Sequence, residues 1–183
     1  MRRASLFFLL FAVACRTSAP TGAPIAPLTA TSSAEAIEQL RARRASFAGA
    51  QALMRVRATV NGKTQSFRAK LSLPDARRME LVAFTPVGTT AAKITADGDQ
   101  INVDNKEDFG FFTTSLIPAE MAMLILGLPP RDGLDVDVTP AGLRSARVDN
   151  VSIAFDPPAF PAKHALVTRG DDRIDIELLE VVR

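Results

Sequence analysis

The sequence predicts a mainly β domain of the α+β class, built on an antiparallel sheet. Three observations carry this. Residues 53–60 and 63–73 alternate apolar and polar side chains with period two and are separated only by Asn61-Gly62. That dipeptide supplies the positive φ that both central positions of a two-residue hairpin turn require. Shorter β-prone runs recur through the rest of the chain, punctuated by Asp97-Gly98, Asp149-Asn150 and Gly170-Asp171-Asp172. Hydrophobic residues make up 47% of the 183, enough for one sizeable core and too many for a disordered chain.

The first 31 residues stand apart from this pattern. Met1-Arg2-Arg3 is a short cationic start, and residues 5–14 (SLFFLLFAVA) are almost purely apolar. Ten residues are too few to span a bilayer, which takes roughly 20, but they suit the apolar region of a secretory signal. Small residues at Ala12 and Ala14 lead to Cys15, the only cysteine in the chain. Ala-Val-Ala-Cys in this place resembles the bacterial lipobox. The resemblance implies removal of residues 1–14 and acylation of Cys15, and Arg16 after the cysteine implies sorting to the outer membrane, with the domain facing the periplasm. Loss of Arg2 and Arg3 brings Lys+Arg from 22 to 20, equal to Asp+Glu, so the basic precursor carries no argument for a nucleic-acid partner. Residues 16–31 (RTSAPTGAPIAPLTAT) have no periodicity and are rich in Pro, Ser, Thr and Ala, the composition of a flexible tether. Residues 15–31 are therefore expected to be anchor and tether, and residues 32–183 the domain.

Within the domain, Ser32-Ser33-Ala34-Glu35 fits a capping box opening a helix that ends near Ala45. A two-residue loop at Asn61-Gly62 then fixes the register of the following hairpin. Val56 faces Phe67, Met54 faces Ala69, Arg55 faces Arg68 and Leu53 faces Lys70. One face is apolar (Met54, Val56, Ala58, Phe67, Ala69, Leu71) and the other is basic (Arg55, Arg57, Arg68, Lys70). The basic face reads either as a solvated sheet surface or as a patch for an anionic ligand. A three-residue turn at Pro74-Asp75-Ala76 would set Glu80 beside Lys70 and put Met79, Leu81 and Ala83 on the apolar face.

Further strands are expected at 78–84, 89–96 and 100–104. Thr85-Pro86-Val87-Gly88 between two of them places an apolar residue at a loop tip, where turn chemistry usually supplies polar ones. Residues 109–116 are expected to be extended or looped. Ser115, Pro118 and Glu120 signal a helix start, and the helix stops at Gly127 with Pro129-Pro130 beyond. Its sequence, AEMAMLILG, is apolar nearly all round and must be covered on most sides by sheet or ligand. Strands follow at 134–139, 146–148, 151–155, 165–168 and 173–182.

Catalytic chemistry finds little footing. The single Cys excludes an internal disulfide, and the single His excludes a multi-His metal site. No Gly-rich phosphate loop occurs, no metal-ligand spacing, and no Gly-x-Ser-x-Gly elbow to employ His164. With no Trp and no Tyr, base stacking would rest on Phe alone. Asp132, Asp135 and Asp137 alternate as the exposed side of a strand would. The expectation is a non-enzyme without metal or cofactor.

The order of lipobox, Pro-rich tether, helix, antiparallel meander, short apolar helix and further strands resembles LolB, the outer-membrane receptor of lipoprotein sorting. Thr85-Pro86-Val87-Gly88-Thr89-Thr90 is similar to that family's Asn-Pro-Leu-Gly-Ser-Thr loop, with Val87 at the protruding Leu. Ile125-Leu126-Gly127-Leu128-Pro129 is similar to the segment closing a LolB helix, and Pro161-Ala162, Leu166-Val167-Thr168, Gly170 and Arg173-Ile174 are similar to its closing strands. LolB proteins are rich in Trp and Tyr, which this chain lacks.

The resemblance, which covers most of residues 34–183, implies a curved antiparallel sheet forming an incomplete barrel, its concave face covered by helices. It implies an apolar cavity lined by Met54, Val56, Phe67, Leu71, Met121, Leu124 and Leu128 that takes acyl chains, and a membrane-contacting loop at Pro86, Val87 and Gly88. The expected partners are lipid acyl chains or lipoprotein cargo, a LolA-like periplasmic carrier and the membrane, with no nucleic acid and the chain a monomer. The alternative is an envelope scaffold of the same fold, with a collapsed core and no lipid cargo, binding a partner through its basic face.

Overall fold

The computed structural model describes residues 20–105 and 114–183. Cys15, and the part of the expected 109–116 segment before Thr114, lie outside the described residues.

Helix α1 (Ser33–Ala45) starts where the capping signal places it, with Ser32 Oγ accepting from Glu35 N at 3.2 Å. The reciprocal half of the box does not form. Thr31 offers two donors one residue earlier, and the Glu35 carboxylate takes both, from the backbone N at 2.8 Å and Oγ1 at 3.0 Å.

Strands β1 (Ala50–Val60) and β2 (Lys63–Leu73) pair in the expected register, from Val60 opposite Lys63 to Ala50 opposite Leu73, across Asn61 (φ 51°) and Gly62 (φ 75°). Met54, Val56, Ala69 and Leu71 are buried, while Arg55, Arg57 and Arg68 are exposed.

At β3 (Arg78–Phe84) the register differs from expectation. Ser72, not Lys70, lies opposite Glu80. The turn is longer than three residues because Asp75 Oδ1 accepts from both Arg77 N and Arg78 N at 2.9 Å, an Asx-type turn that holds residues 74–77 out of the ladder. Glu80 instead pairs with Lys93 at 2.8 Å. The slip is two residues, so the faces survive and Met79, Leu81 and Ala83 stay on the apolar side.

The chain continues through β4 (Thr90–Asp97) and β5 (Gln100–Asn105), then α2 (Pro118–Ile125), β6 (Asp135–Thr139), β7 (Gly142–Val148), β8 (Val151–Ala159), β9 (His164–Arg169) and β10 (Asp172–Val182). The ten strands among the described residues form one antiparallel sheet in the order β5-β4-β3-β2-β1-β10-β9-β8-β7-β6. The chain enters at the middle, steps outward to the β5 edge, crosses to the β6 edge and steps back until β10 pairs with β1. The two edges do not join, so the sheet is not closed into a barrel.

The core is one contiguous apolar cluster drawn from both halves of the sheet, α1 and α2. Helix α2 lies against β3 and β4, and its C-terminus is tied to the far half through Ala162 N donating to Leu126 O at 2.9 Å. Gly127 (φ 88°) ends it, where a Cβ would lie 3.2 Å from Ala162 N. No helix among the described residues is long and apolar enough to cross a membrane.

Candidate functional site: an apolar crevice beneath an N-terminal strap

Residues 20–31, the later part of the Pro-rich stretch, run against the domain. Pro24 forms an antiparallel bridge with Val182, and Arg183 N donates to Ala23 O at 2.8 Å. Gly22 passes so close to Arg183 that a Cβ there would lie 2.0 Å from its carbonyl oxygen. Thr29 N donates to Gln39 Oε1 at 3.1 Å. The buckle is Arg43, in the last turn of α1. Its guanidinium donates to Ala26 O at 2.8 Å and Pro27 O at 2.9 Å and sits 4.9 Å from the centroid of the Phe160 ring. Burial, with Arg183 close by, lowers the Arg43 pKa. Ile25 and Leu28 of the strap pack against the core.

Beneath Ile25 is a crevice whose apolar wall comes from Phe47, Met123, Leu126, Leu128 and Phe160, with Arg43 and Arg183 at its rim. The free space is about 30 Å³, roughly the volume of one water. The local sequence explains the wall. The helix-stop at Gly127 turns Leu126 and Leu128 inward, and the Ala162–Leu126 hydrogen bond brings Phe160 and Pro161 onto them.

Of the seven residues expected to line an acyl cavity, Met54, Val56, Leu71, Leu124 and Leu128 are buried and Phe67 and Met121 half-buried, all in or against the one core cluster. The structure brings them together, but only Leu128 borders the crevice. Leu124 is 0% exposed and packed on all sides. Sequence reasoning missed Ile25, Arg43, Phe47, Met123, Leu126 and Phe160. An Ile between two Pro in the tether was the one signal that could have marked the strap.

Val87 is 76% exposed at its loop tip. Thr85 N donates to Thr89 O at 2.8 Å and Gly88 N (φ 85°) to Thr85 O at 2.9 Å, so the loop is a closed, tight turn with Pro86 and Val87 outermost. Ile101 and Val103, on the apolar face of edge strand β5, are also exposed.

The basic face carries a groove lined by Arg57, Thr59, Arg173 and Asp175. Arg57 lies opposite Asp175, but that carboxylate is engaged elsewhere, by His164 Nε2 at 2.8 Å and Arg173 at 3.4 Å. Arg55 is paired with Glu177. The hydrogen bond from His164, more than any other contact, lowers the Asp175 pKa.

Residues 51–127 are similar to the family described as Protein of unknown function (DUF3261). The matched span runs from β1 to the Gly that ends α2 and takes in two crevice residues, Met123 and Leu126, with Phe47, Leu128 and Phe160 outside it. No curated protein matches the chain.

Proposed function

We propose that this protein is a lipoprotein of the bacterial outer membrane, acylated at Cys15 and facing the periplasm, that binds acyl chains between its sheet and α2. In this reading the open sheet is a LolB-like incomplete barrel and the helices cover its concave side. The observation that carries it is the apolar crevice, which has α2 as one wall and Phe160 as another. Curvature is supported by an eight-residue helix, about 12 Å long, that touches β3 and β4 on one half and the β8–β9 connection on the other.

Burying a 16-carbon chain contributes on the order of 12 kcal/mol, at about 0.8 kcal/mol per CH₂. The same free energy is recovered in a bilayer. Cargo can therefore pass onward without ATP if the crevice holds the chain slightly less well than lipid does. The small free space means that chains must part to admit an acyl tail. Val87 would meet the membrane at release.

A second reading, an envelope scaffold with no lipid cargo, draws support from the close packing around Leu124. Native mass spectrometry of the domain, purified without its anchor, separates the two. Copurifying lipid and uptake of a fluorescent fatty acid are expected, and neither would be seen for a scaffold. In a reconstituted transfer assay, Val87→Glu is expected to slow delivery to vesicles, and unchanged transfer would remove Val87 from the mechanism.

A further inference from the structure

We propose that the N-terminal strap is a displaceable lid on the crevice, with Ile25 standing where the end of an acyl chain would lie; this rests on the acyl-binding reading. Ile25 is the strap's side chain in the crevice wall, and it shares that crevice with the core residues Met123, Leu126, Leu128 and Phe160. The strap is held differently from the domain beneath it. Its ties are a single bridge at Pro24, one backbone bond at Ala23, the two Arg43 donations, side-chain hydrogen bonds at exposed positions, two partly buried apolar side chains and the buried Pro20. Segments with few apolar contacts and solvent-exposed hydrogen bonds open at a small fraction of the global unfolding free energy. The wall it covers is of the opposite kind, since Met123 is 1%, Leu126 4%, Leu128 4% and Phe160 5% exposed. Lifting the strap leaves the sheet ladder intact except for the Pro24 bridge and uncovers a continuous apolar surface. An acyl chain can then take the place of Ile25, and a ligand that binds only the open form shifts the strap equilibrium by its differential affinity.

Displacement also changes the leash. With the strap docked, the five links from Cys15 to Pro20 reach roughly 17 Å, whereas a strap free to Ser32 reaches roughly 58 Å at about 3.4 Å per residue. Loading of the crevice and the reach of the domain from its membrane anchor are thereby one equilibrium.

The test uses the full mature chain carrying Cys15→Ser, so that no acyl group of its own competes and no other thiol is present. Pro24→Cys with Val182→Cys allows the strap to be locked by oxidation and released by reduction in one molecule. A fluorescent fatty acid is expected to bind the reduced form and lose binding about tenfold or more on oxidation. Arg43→Gln and Ile25→Asn are expected to raise its affinity, and hydrogen exchange across residues 25–31 to accelerate as the fatty acid is added. Equal affinity of the oxidised and reduced forms would overturn the lid while leaving acyl binding standing. No binding by any form, the opened variants included, would overturn both.

Discussion

At the scale of single residues, burial and exposure separate those that hold the fold from those left at its surface. Leu124 is fully enclosed, and Leu124→Ala is expected to cost about 2–5 kcal/mol, measured by chemical denaturation. Val87→Glu, at an exposed tip, is expected to change stability by no more than about 0.5 kcal/mol, so that any effect on transfer belongs to the loop and not to unfolding. Asp175 makes a prediction about pH. Its hydrogen bond from His164 depresses its folded pKa. Below the ordinary carboxylate range the unfolded chain therefore binds more protons than the folded one, and stability rises with pH there. The contribution is complete above about pH 4 and is lost as pH falls through the depressed folded value. Asp175→Asn is expected to flatten part of the acid limb of a melting-temperature profile below about pH 4. An unaltered limb would show that the His164 contact is too weak to matter.

At the scale of elements, backbone requirements decide which changes are tolerated. Gly142 opens β7 at φ 148°, and a Cβ there would lie 2.4 Å from the carbonyl of Ala159 on β8. Gly142→Ala is expected to loosen β6–β8 while β1–β2 keeps its hydrogen-exchange protection. Gly62→Ala, with nothing within 4 Å, carries only the backbone strain of a left-handed conformation, about 1–2 kcal/mol. These elements differ in how legible they were. The β1–β2 register could be read from sequence because turn dipeptide and alternation constrain it independently and agree. The 74–77 turn could not, because its length depends on one Asp75 side chain capturing two amides. β8 runs through Pro157-Pro158 to Ala159, past the expected end at 155, because its final pairing is Ala159 with Leu143 beyond a β-bulge. The strap was the least legible element. A Pro-rich stretch has no period, and its partners are backbone groups at Val182 and Arg183 and a guanidinium on α1. Of the residues expected to line a cavity, Met54, Val56, Phe67 and Leu71 on β1 and β2 lie in or against the core because alternation reports a face. Which of them border free space depends on where α2 ends and what folds onto it, and alternation says nothing about that.

At the scale of the whole molecule, the topology sets the tip loop and the strap far apart. Phe84, at the end of β3 that leads to Val87, lies opposite Arg68, which lies opposite Arg55, which lies opposite Glu177. From Glu177 the chain descends β10 to Val182, where Pro24 is bridged. Adding the loop beyond Phe84, Val87 and the strap are separated by roughly 25 Å along the strand direction, at about 3.4 Å per residue. On the proposed anchoring at Cys15, a docked strap would give a leash shorter than that separation, so Val87 would meet the bilayer only with the strands lying along its surface. A released strap would give a leash long enough for the sheet to stand with Val87 toward the lipid. The chain has no Trp, so Val87→Trp provides a single reporter. In the lipidated protein on vesicles containing a headgroup-proximal quencher lipid, adding Arg43→Gln is expected to increase quenching of that Trp. The same substitution should leave quenching unchanged when the chain is held to the vesicle by a tag at its C-terminus instead, because the leash no longer passes through the strap. Equal quenching with and without Arg43→Gln in the Cys15-anchored protein would show that strap docking does not govern how the domain meets the membrane.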